Sequence, residues 1–116
     1  METNITDLRS YLEVLEHAGE LSRVRSPVSL NQEIGAVCLR NLRKDGPGLV
    51  FERPGDCKIP LAVDLLASRR RYGLALGVQP EELANEWNKR TRNPLPPVVV
   101  ERGLCQQNVK IGKEVD

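Results

Sequence analysis

A chain of 116 residues with 17 Lys and Arg against 16 Asp and Glu carries a formal net charge of +1. The length suits one domain with a real core, and 40% hydrophobic but only 3% aromatic residues predict that the core is aliphatic. The balanced charge argues against a partner among nucleic acids or acidic membranes. No apolar run has the length of a membrane span, and the first residues lack the apolar stretch of a signal peptide, so we expect a cytoplasmic location.

Few residues could support chemistry. The three cysteines are Cys38, Cys57 and Cys105. Their number is odd and their spacing contains no C-x-x-C, so neither a disulfide framework nor a zinc site is predicted. The one histidine, His17, and the carboxylates of Glu13 and Glu16 are interpreted as solvated helix surface, because nothing nearby supplies a nucleophile or an orienting partner. The glycine spacing matches no phosphate-binding loop.

The first predicted elements are a helix and a short strand. The helix starts behind Thr6 as its N-cap and ends at Gly19. Its apolar face follows helical spacing and consists of Leu8, Tyr11, Leu12 and Leu15. Residues 21–25 alternate and stop at Pro27, which predicts an edge strand.

A second helix is predicted between residues 29 and 44. Ser29 at the N-cap and Gln32 at the third helical position fit a capping box, and Gly46 ends the helix. Its apolar stripe consists of Leu30, Ile34, Val37, Cys38 and Leu42. Cys38 is therefore interpreted as a small core hydrophobe and not as a nucleophile.

The centre of the chain reads as strand, turn, strand and helix. The run Gly48–Phe51 is continuously apolar, which is typical of a strand covered on both faces. Residues 53–56 predict a turn, and residues 59–64 predict a second strand in which Leu61 is buried. Ser68 is expected to cap the next helix, which ends at Gly77.

The remaining chain predicts one more helix and a final strand. Pro80 suits the first helical position, and Leu83 and Trp87 share the apolar side. Residues 93–97 are an extended connector, and the β-branched run 98–100 needs a sheet edge or a partner. The order αβαββααβ predicts a single small α/β domain, residues 1–102, with a mixed sheet flanked by helices. Residues 103–116 form a polar tail.

Arg69, Arg70 and Arg71 stand together at a predicted helix N-terminus, where the helix dipole disfavours cations. They are explained either by an acidic partner surface, a carboxylate or a phosphate, or by weak ion pairs on the protein's own surface. For one arginine the second explanation is the better; the run of three leaves the first one open. With Tyr72 as the only neighbouring aromatic residue, no nucleic-acid site is predicted.

Several segments, taken in order, resemble the N-terminal domain of the UbiD-type decarboxylases. They are DLR at 7–9 with GEL at 19–21, EIGA at 33–36, GLVFE at 48–52, LLASRRRY at 65–72 with LALG at 74–77, LPPV at 95–98, CQQNV at 105–109 and VD at 115–116. No single segment is specific, but the ordered set is, and it covers nearly the whole chain. The resemblance implies an enzyme that uses prenylated FMN to remove or add CO₂ on aromatic and α,β-unsaturated acids.

The sequence departs from that family by ending at Asp116. In the family a split-barrel domain follows, which carries the prenylated-FMN site, the manganese and potassium ligands and the catalytic Arg and Glu residues. None of those motifs is present here, so the resemblance transfers no catalytic, cofactor-binding or metal residue. Arg70 also stands where the family often has an acidic residue.

The resemblance therefore implies a non-catalytic small subunit or an N-terminal module that works with a catalytic UbiD-type subunit or domain, as part of a hetero-oligomer. The alternative is a stand-alone assembly or protein-binding module without chemistry. In the family the tail leads toward the catalytic domain, so Cys105, Gln106 and Gln107 are expected to contact the partner, with Arg69, Arg70 and Arg71 as a weaker contact. The tail alone has too few apolar residues to order itself.

Overall fold

The structure, a computed structural model, describes residues 5–115. Within that range the helices are α1 (Leu8–His17), α2 (Glu33–Leu42), α3 (Arg69–Leu76) and α4 (Leu83–Arg92). The strands are β1 (Leu21–Val24), β2 (Gly48–Phe51) and β3 (Leu61–Val63), and two short 3₁₀ turns cover Leu104–Gln106 and Gly112–Glu114. Of the predicted tail, Asp116 lies outside the described residues.

The sheet is mixed and has the order β1-β2-β3. β1 runs parallel to β2, with Leu21 opposite Gly48, and β3 runs antiparallel to β2, with Leu61 opposite Phe51. The parallel pair is joined by a crossover that contains α2. All four residues of β2 are buried, which confirms the prediction of a strand covered on both faces, and β1 is an edge strand as predicted. The predicted single α/β domain with a mixed sheet and flanking helices is therefore confirmed.

The core lies on both sides of β2. On one side Leu49 and Phe51 cluster with the buried side chains of Val28 and Ile34. The opposite face, by strand alternation, is that of Val50, and α1 contacts both β1 and α3. Leu15 of α1 is fully buried.

Cys38 packs against this core, as the sequence predicted. Burial raises the pKa of its thiol, and the nearby carboxylate of Asp64 adds to the rise. Since the thiolate is the reactive form, Cys38 is an unreactive packing residue at neutral pH.

The first helix begins one residue later than predicted, because Asp7 and not Thr6 is its N-cap. The Asp7 carboxylate accepts from the backbone N–H of Ser10 at 2.8 Å, and the Ser10 hydroxyl accepts from the N–H of Asp7 at 3.1 Å. This reciprocal box holds the pKa of Asp7 below its usual value, since the Ser10 N–H favours the ionised form. Two helix ends were predicted correctly: Gly19 and Gly77 both adopt positive φ, 72°.

The predicted Ser29–Gln32 capping box does not form. The Ser29 hydroxyl instead accepts from the N–H of Asn31 at 3.1 Å, a local turn that competes with helix, and α2 begins only at Glu33. The Glu33 carboxylate reaches back to the N–H of Ser29 at 2.7 Å. Leu30 consequently leaves the predicted apolar stripe and is 58% exposed.

The last helix also starts later than predicted. Pro80 and the two residues after it form a turn in which the Glu82 carboxylate accepts from the N–H of Gln79 at 3.2 Å. This side-chain bond caps the turn, so α4 begins at Leu83. Ser68 caps α3 as predicted, accepting from the N–H of Arg71 at 3.2 Å.

The second predicted strand is shorter and less buried than expected. β3 has three residues and pairs on one side only, so it is an edge strand. Leu61 is 37% exposed and not buried as predicted, because β3 pairs with β2 alone among the described strands. A charged residue at position 61 is therefore not expected to unfold the domain.

The β-branched run 98–100 does not join the sheet, so the predicted final strand is wrong. Val98 and Val99 are about nine-tenths exposed, at 89% and 91%. The described chain from residue 94 to residue 100 is irregular and pairs with neither β1 nor β3, the two edge strands of the sheet. In the part of the chain that the structure describes, no helix is long and apolar enough to span a membrane.

Candidate interaction surface

A buried charged cluster ties α3 to the sheet. Arg71 is 2% exposed, and its Nη1 donates to the Glu20 carboxylate at 3.1 Å and to the Gly46 carbonyl at 3.0 Å. The Nε of Arg70 lies 3.1 Å from the other oxygen of Glu20. Glu20 directly precedes β1, and Gly46 lies just before β2, so one guanidinium links the start of α3 to the starts of two parallel strands.

Tyr11 of α1 completes this cluster. Its hydroxyl lies 2.9 Å from the Leu65 carbonyl and 3.0 Å from the Arg71 carbonyl, to which it donates. Burial raises the pKa of Tyr11 to about 12, so the phenol keeps its proton at neutral pH. The cluster is an internal support for the fold, although within the described residues the buried Nε of Arg71 has no hydrogen-bond partner.

The three consecutive arginines therefore have three different surroundings. Arg71 is interior, the Arg70 side chain is 65% exposed beside Glu20, and exposed Arg69 donates to the Pro80 carbonyl at 2.9 Å. The partner contact predicted for this run stays a prediction for Arg69 and Arg70. The Arg71 guanidinium is already committed to contacts inside the domain.

The other predicted contact residues lie in the tail. Cys105, Gln106 and Gln107 are all exposed, in and beside the 3₁₀ turn Leu104–Gln106. Gln106 accepts from the N–H of Gly103 at 2.8 Å, which shapes the turn. Within residues 5–115, no hydrogen bond or ion pair joins these three residues to the arginines.

A groove between α3 and α4 displays two aromatic side chains. Tyr72 is 40% exposed and Trp87 is 56% exposed. The groove encloses about 430 Å³ and is lined by Arg69, Tyr72, Leu76, Leu83, Ala84, Trp87 and Asn88. The sequence placed Leu83 and Trp87 on one side of a helix but gave no sign that α3 would provide the opposite wall.

Two arginines hold the walls of this groove together. Arg69 of α3 donates to the Pro80 carbonyl ahead of α4, and Arg90 of α4 donates to the Leu76 carbonyl at the end of α3, both at 2.9 Å. Arg90 also donates to the Glu86 carboxylate at 2.7 Å, which holds the pKa of that carboxyl below its usual range. The Leu76 carbonyl is one of the groups that a helix end leaves without an intrahelical partner, so the bond from Arg90 satisfies it.

Beyond α4, the chain forms an exposed arm, residues 93–115. Its apolar side chains are between 59% and 92% exposed, namely Leu95, Val98, Val99, Val100, Leu104, Val109, Ile111 and Val115. Exposed apolar surface on this scale marks a site of interaction with another surface. The arm and the groove together are the candidate interaction surface.

Among residues 5–115, no group of three or more His, Cys, Asp and Glu side chains is placed to hold a metal ion. These residues therefore do not fit a manganese site of the kind that carboxylate and imidazole ligands build.

Comparison with solved structures gives relatives of one class. The chain is similar to vanillic acid decarboxylase of Sedimentibacter hydroxybenzoicus, in open form with truncated ShVdcD, at 30% identity and a TM-score of 0.75, over 90% of this chain and 24% of that one. It is similar to an evolved dimeric form of the UbiD-class enzyme HmfF from Pelotomaculum thermopropionicum, in complex with prFMN, at 29% identity and a TM-score of 0.71, over 79% and 21%. HmfF in complex with FMN matches at 30% identity and a TM-score of 0.68, over 77% and 20%.

The chain thus spans between a fifth and a quarter of the length of these enzymes. A family model, described as the 3-octaprenyl-4-hydroxybenzoate carboxy-lyase N-terminal domain, matches residues 12–91. That range contains the Arg71 cluster except Tyr11, and the whole α3–α4 groove, whereas the arm lies beyond it. Because the family model matches more than half of this chain, the chain belongs to the UbiD family and corresponds to the N-terminal domain of the family's members.

Proposed function

We propose that this chain is a non-catalytic small subunit or N-terminal module of a UbiD-type reversible decarboxylase. The observation that carries the proposal is the partial match, since the chain corresponds to one domain and to 20–24% of the length of the similar enzymes. The chemistry would belong to the remaining part of the enzyme, on the same polypeptide or on another chain.

The substrate class we propose is an aromatic or α,β-unsaturated carboxylic acid. Support comes from the family description, which names a hydroxybenzoate, and from the similar vanillic acid decarboxylase. Both are aromatic acids that carry a ring hydroxyl. The assembled enzyme would remove or add CO₂ at such an acid.

The cofactor would be prenylated FMN, with manganese and potassium, held by the catalytic subunit or domain. Similar structures contain prFMN and FMN, which supports the flavin. The flavin would stabilise the electron pair that remains on the substrate when CO₂ leaves. This chain would contribute support for the fold of its partner, in a cytoplasmic hetero-oligomer.

The partner contact would be made by the exposed arm, with Cys105, Gln106 and Gln107 against the partner and the glutamine amides bonding to its backbone. Arg69 and Arg70 would add a second contact. Their exposure supports this role, because the side chains are accessible without a change in the fold. Arg71, which is buried, is not part of the contact proposed here.

The test is reconstitution. The chain alone, titrated with prenylated FMN, manganese and potassium, is expected to give no shift of the flavin's visible bands and no CO₂ from aromatic acids. Mixed with the UbiD-class catalytic chain, it is expected to form a complex by native mass spectrometry that decarboxylates. Tight stoichiometric flavin binding by this chain alone, or the absence of any complex, would overturn the proposal.

A further inference from the structure

We propose that the groove between α3 and α4 is the docking site for the catalytic chain, which inserts an apolar side chain flanked by a carboxylate. The inference rests on the proposed function and adds to it the place of contact and its chemistry.

Aromatic side chains are scarce in this protein and are divided evenly between core and groove. The sequence has one Trp, two Tyr and one Phe. Tyr11 and Phe51 are buried in the core, whereas Tyr72 and Trp87 are exposed and line the same groove. Trp and Tyr are the residues that most often dominate the binding energy of an interface, and they do so from pockets.

The groove exists before any partner binds. The two arginine bonds, from Arg69 to Pro80 and from Arg90 to Leu76, hold α3 and α4 at a fixed separation. A preformed groove costs less ordering free energy on binding than one that must assemble. Its volume of about 430 Å³ is sufficient for one or two large side chains.

The lining of the groove contains one charged side chain, the basic Arg69. Residues 65–115 contain nine Lys and Arg against five Asp and Glu, whereas residues 5–64 contain eight against nine. The basic surplus therefore lies in the part of the chain that holds the groove and the arm. Complementarity to Arg69 therefore favours a carboxylate on the partner beside the inserted apolar side chain.

The position of the groove also fits a partner that meets the arm. α4 forms one wall and continues directly into residues 93–115, whose apolar side chains are exposed. The rest of a UbiD-class enzyme would therefore be joined to, or meet, this end of the domain. A second groove of about 570 Å³ between α1 and α3 has no Trp, Tyr or Phe in its lining, so it offers no comparable anchor.

The experiment measures the affinity of the full chain for the purified UbiD-class catalytic chain by calorimetry. Trp87→Ala is expected to weaken binding about 30-fold or more. Leu8→Ala is the matched control, since Leu8 and Trp87 are both 56% exposed on helices but lie on different ones, and it is expected to change affinity less than about twofold.

A spectroscopic readout keeps the inference testable if Trp87→Ala does not fold. Because the chain has one Trp, labelling it with 5-fluorotryptophan gives one ¹⁹F resonance, which is expected to shift when the catalytic chain is added. Failure of the wild-type chain to bind would overturn the proposed function. Binding with an unshifted resonance, or equal affinities for Trp87→Ala and Leu8→Ala, would overturn the docking site and leave the proposed function standing.

Discussion

Two regions of this chain use apolar residues in opposite ways. In the domain body, residues 8–92, the side chains of Leu15, Leu49 and Phe51 are buried around the central strand. In the arm, residues 93–115, Val98 and Val99 are about nine-tenths exposed. Ordering a residue costs roughly 1–2 kcal/mol of conformational entropy, which burial offsets in the body and not in the arm. We therefore expect the body to fold by itself, and the arm's apolar residues are suited to a surface outside the domain.

The largest expected difference between the two regions comes from truncating one apolar side chain in each. Phe51→Ala removes a fully buried ring at the centre of the sheet and is expected to lower the free energy of unfolding by about 3–5 kcal/mol. Val99→Ala in the arm is expected to change it by less than about 0.5 kcal/mol. Urea unfolding of both variants measures this contrast. A large loss of stability in Val99→Ala would show that the arm packs on the body.

Two adjacent arginines in the body show the same contrast between a buried and an exposed side chain. Arg71→Ala removes the link between α3 and the strand starts and leaves Glu20 with one partner, so we expect a loss of about 2–4 kcal/mol. Arg70→Ala removes an exposed ion pair with the same carboxylate and is expected to cost less than about 1 kcal/mol. Thermal unfolding of the two variants compares them directly. Equal losses would mean that Glu20, and not burial, decides the contribution.

The arginine run also shows where sequence reasoning ends. Successive residues on a helix point about 100° apart, so three neighbours cannot all face one way, but the sequence does not say which one faces inward. Arg71 is buried because Glu20 and Gly46, 51 and 25 residues away in sequence, meet it in the folded chain. Long-range contacts of this kind leave no periodic signal.

Local signals were more informative where one residue type had one role. Gly48–Phe51 was predicted from a continuous apolar run, and Ser68 and Gly77 were predicted from capping chemistry. The predicted helix starts were wrong where several polar residues competed for the same backbone N–H groups. Asp7 caps α1 in place of Thr6, and a local turn at Ser29 forms in place of the capping box. The groove was not predictable, because it depends on how α3 and α4 pack. The family resemblance, in contrast, was readable from the ordered segments.

A third contrast uses pH. The pKa of Tyr11 is about 12 in the folded chain, above the ordinary value of 10, because the ring is buried. Between pH 10 and 12 the unfolded chain has released this proton and the folded chain has not, so stability falls as pH rises. The wild-type protein is expected to lose about 2–3 kcal/mol over this window beyond any loss in Tyr11→Phe. Parallel stability curves for the two proteins would contradict the buried position of the hydroxyl.

A smaller effect tests which residue caps α1. Asp7→Ala removes the side-chain acceptor of the Ser10 N–H and is expected to lower stability by about 1 kcal/mol. Thr6→Ala is the control, with an expected change of less than about 0.5 kcal/mol, because no Thr6 side-chain bond contributes to the capping box. Thermal unfolding at neutral pH measures both, where the Asp7 carboxylate is ionised. A larger loss for Thr6→Ala would show that Thr6, the residue predicted from the sequence, is the N-cap of α1.

The smallest effect is expected from removing the arm altogether. Deletion of residues 94–116 is expected to leave the unfolding free energy of the body within about 0.5 kcal/mol, since the described arm buries little apolar surface against it. Amide hydrogen exchange of the full chain gives the matching readout at single residues. Arm amides are expected to exchange fast in the isolated chain and more slowly once the catalytic chain is bound, while β2 amides stay protected in both. Equal protection of the arm in both states would mean that it packs on its own domain, and the partner would then have to bind through the α3–α4 groove without it.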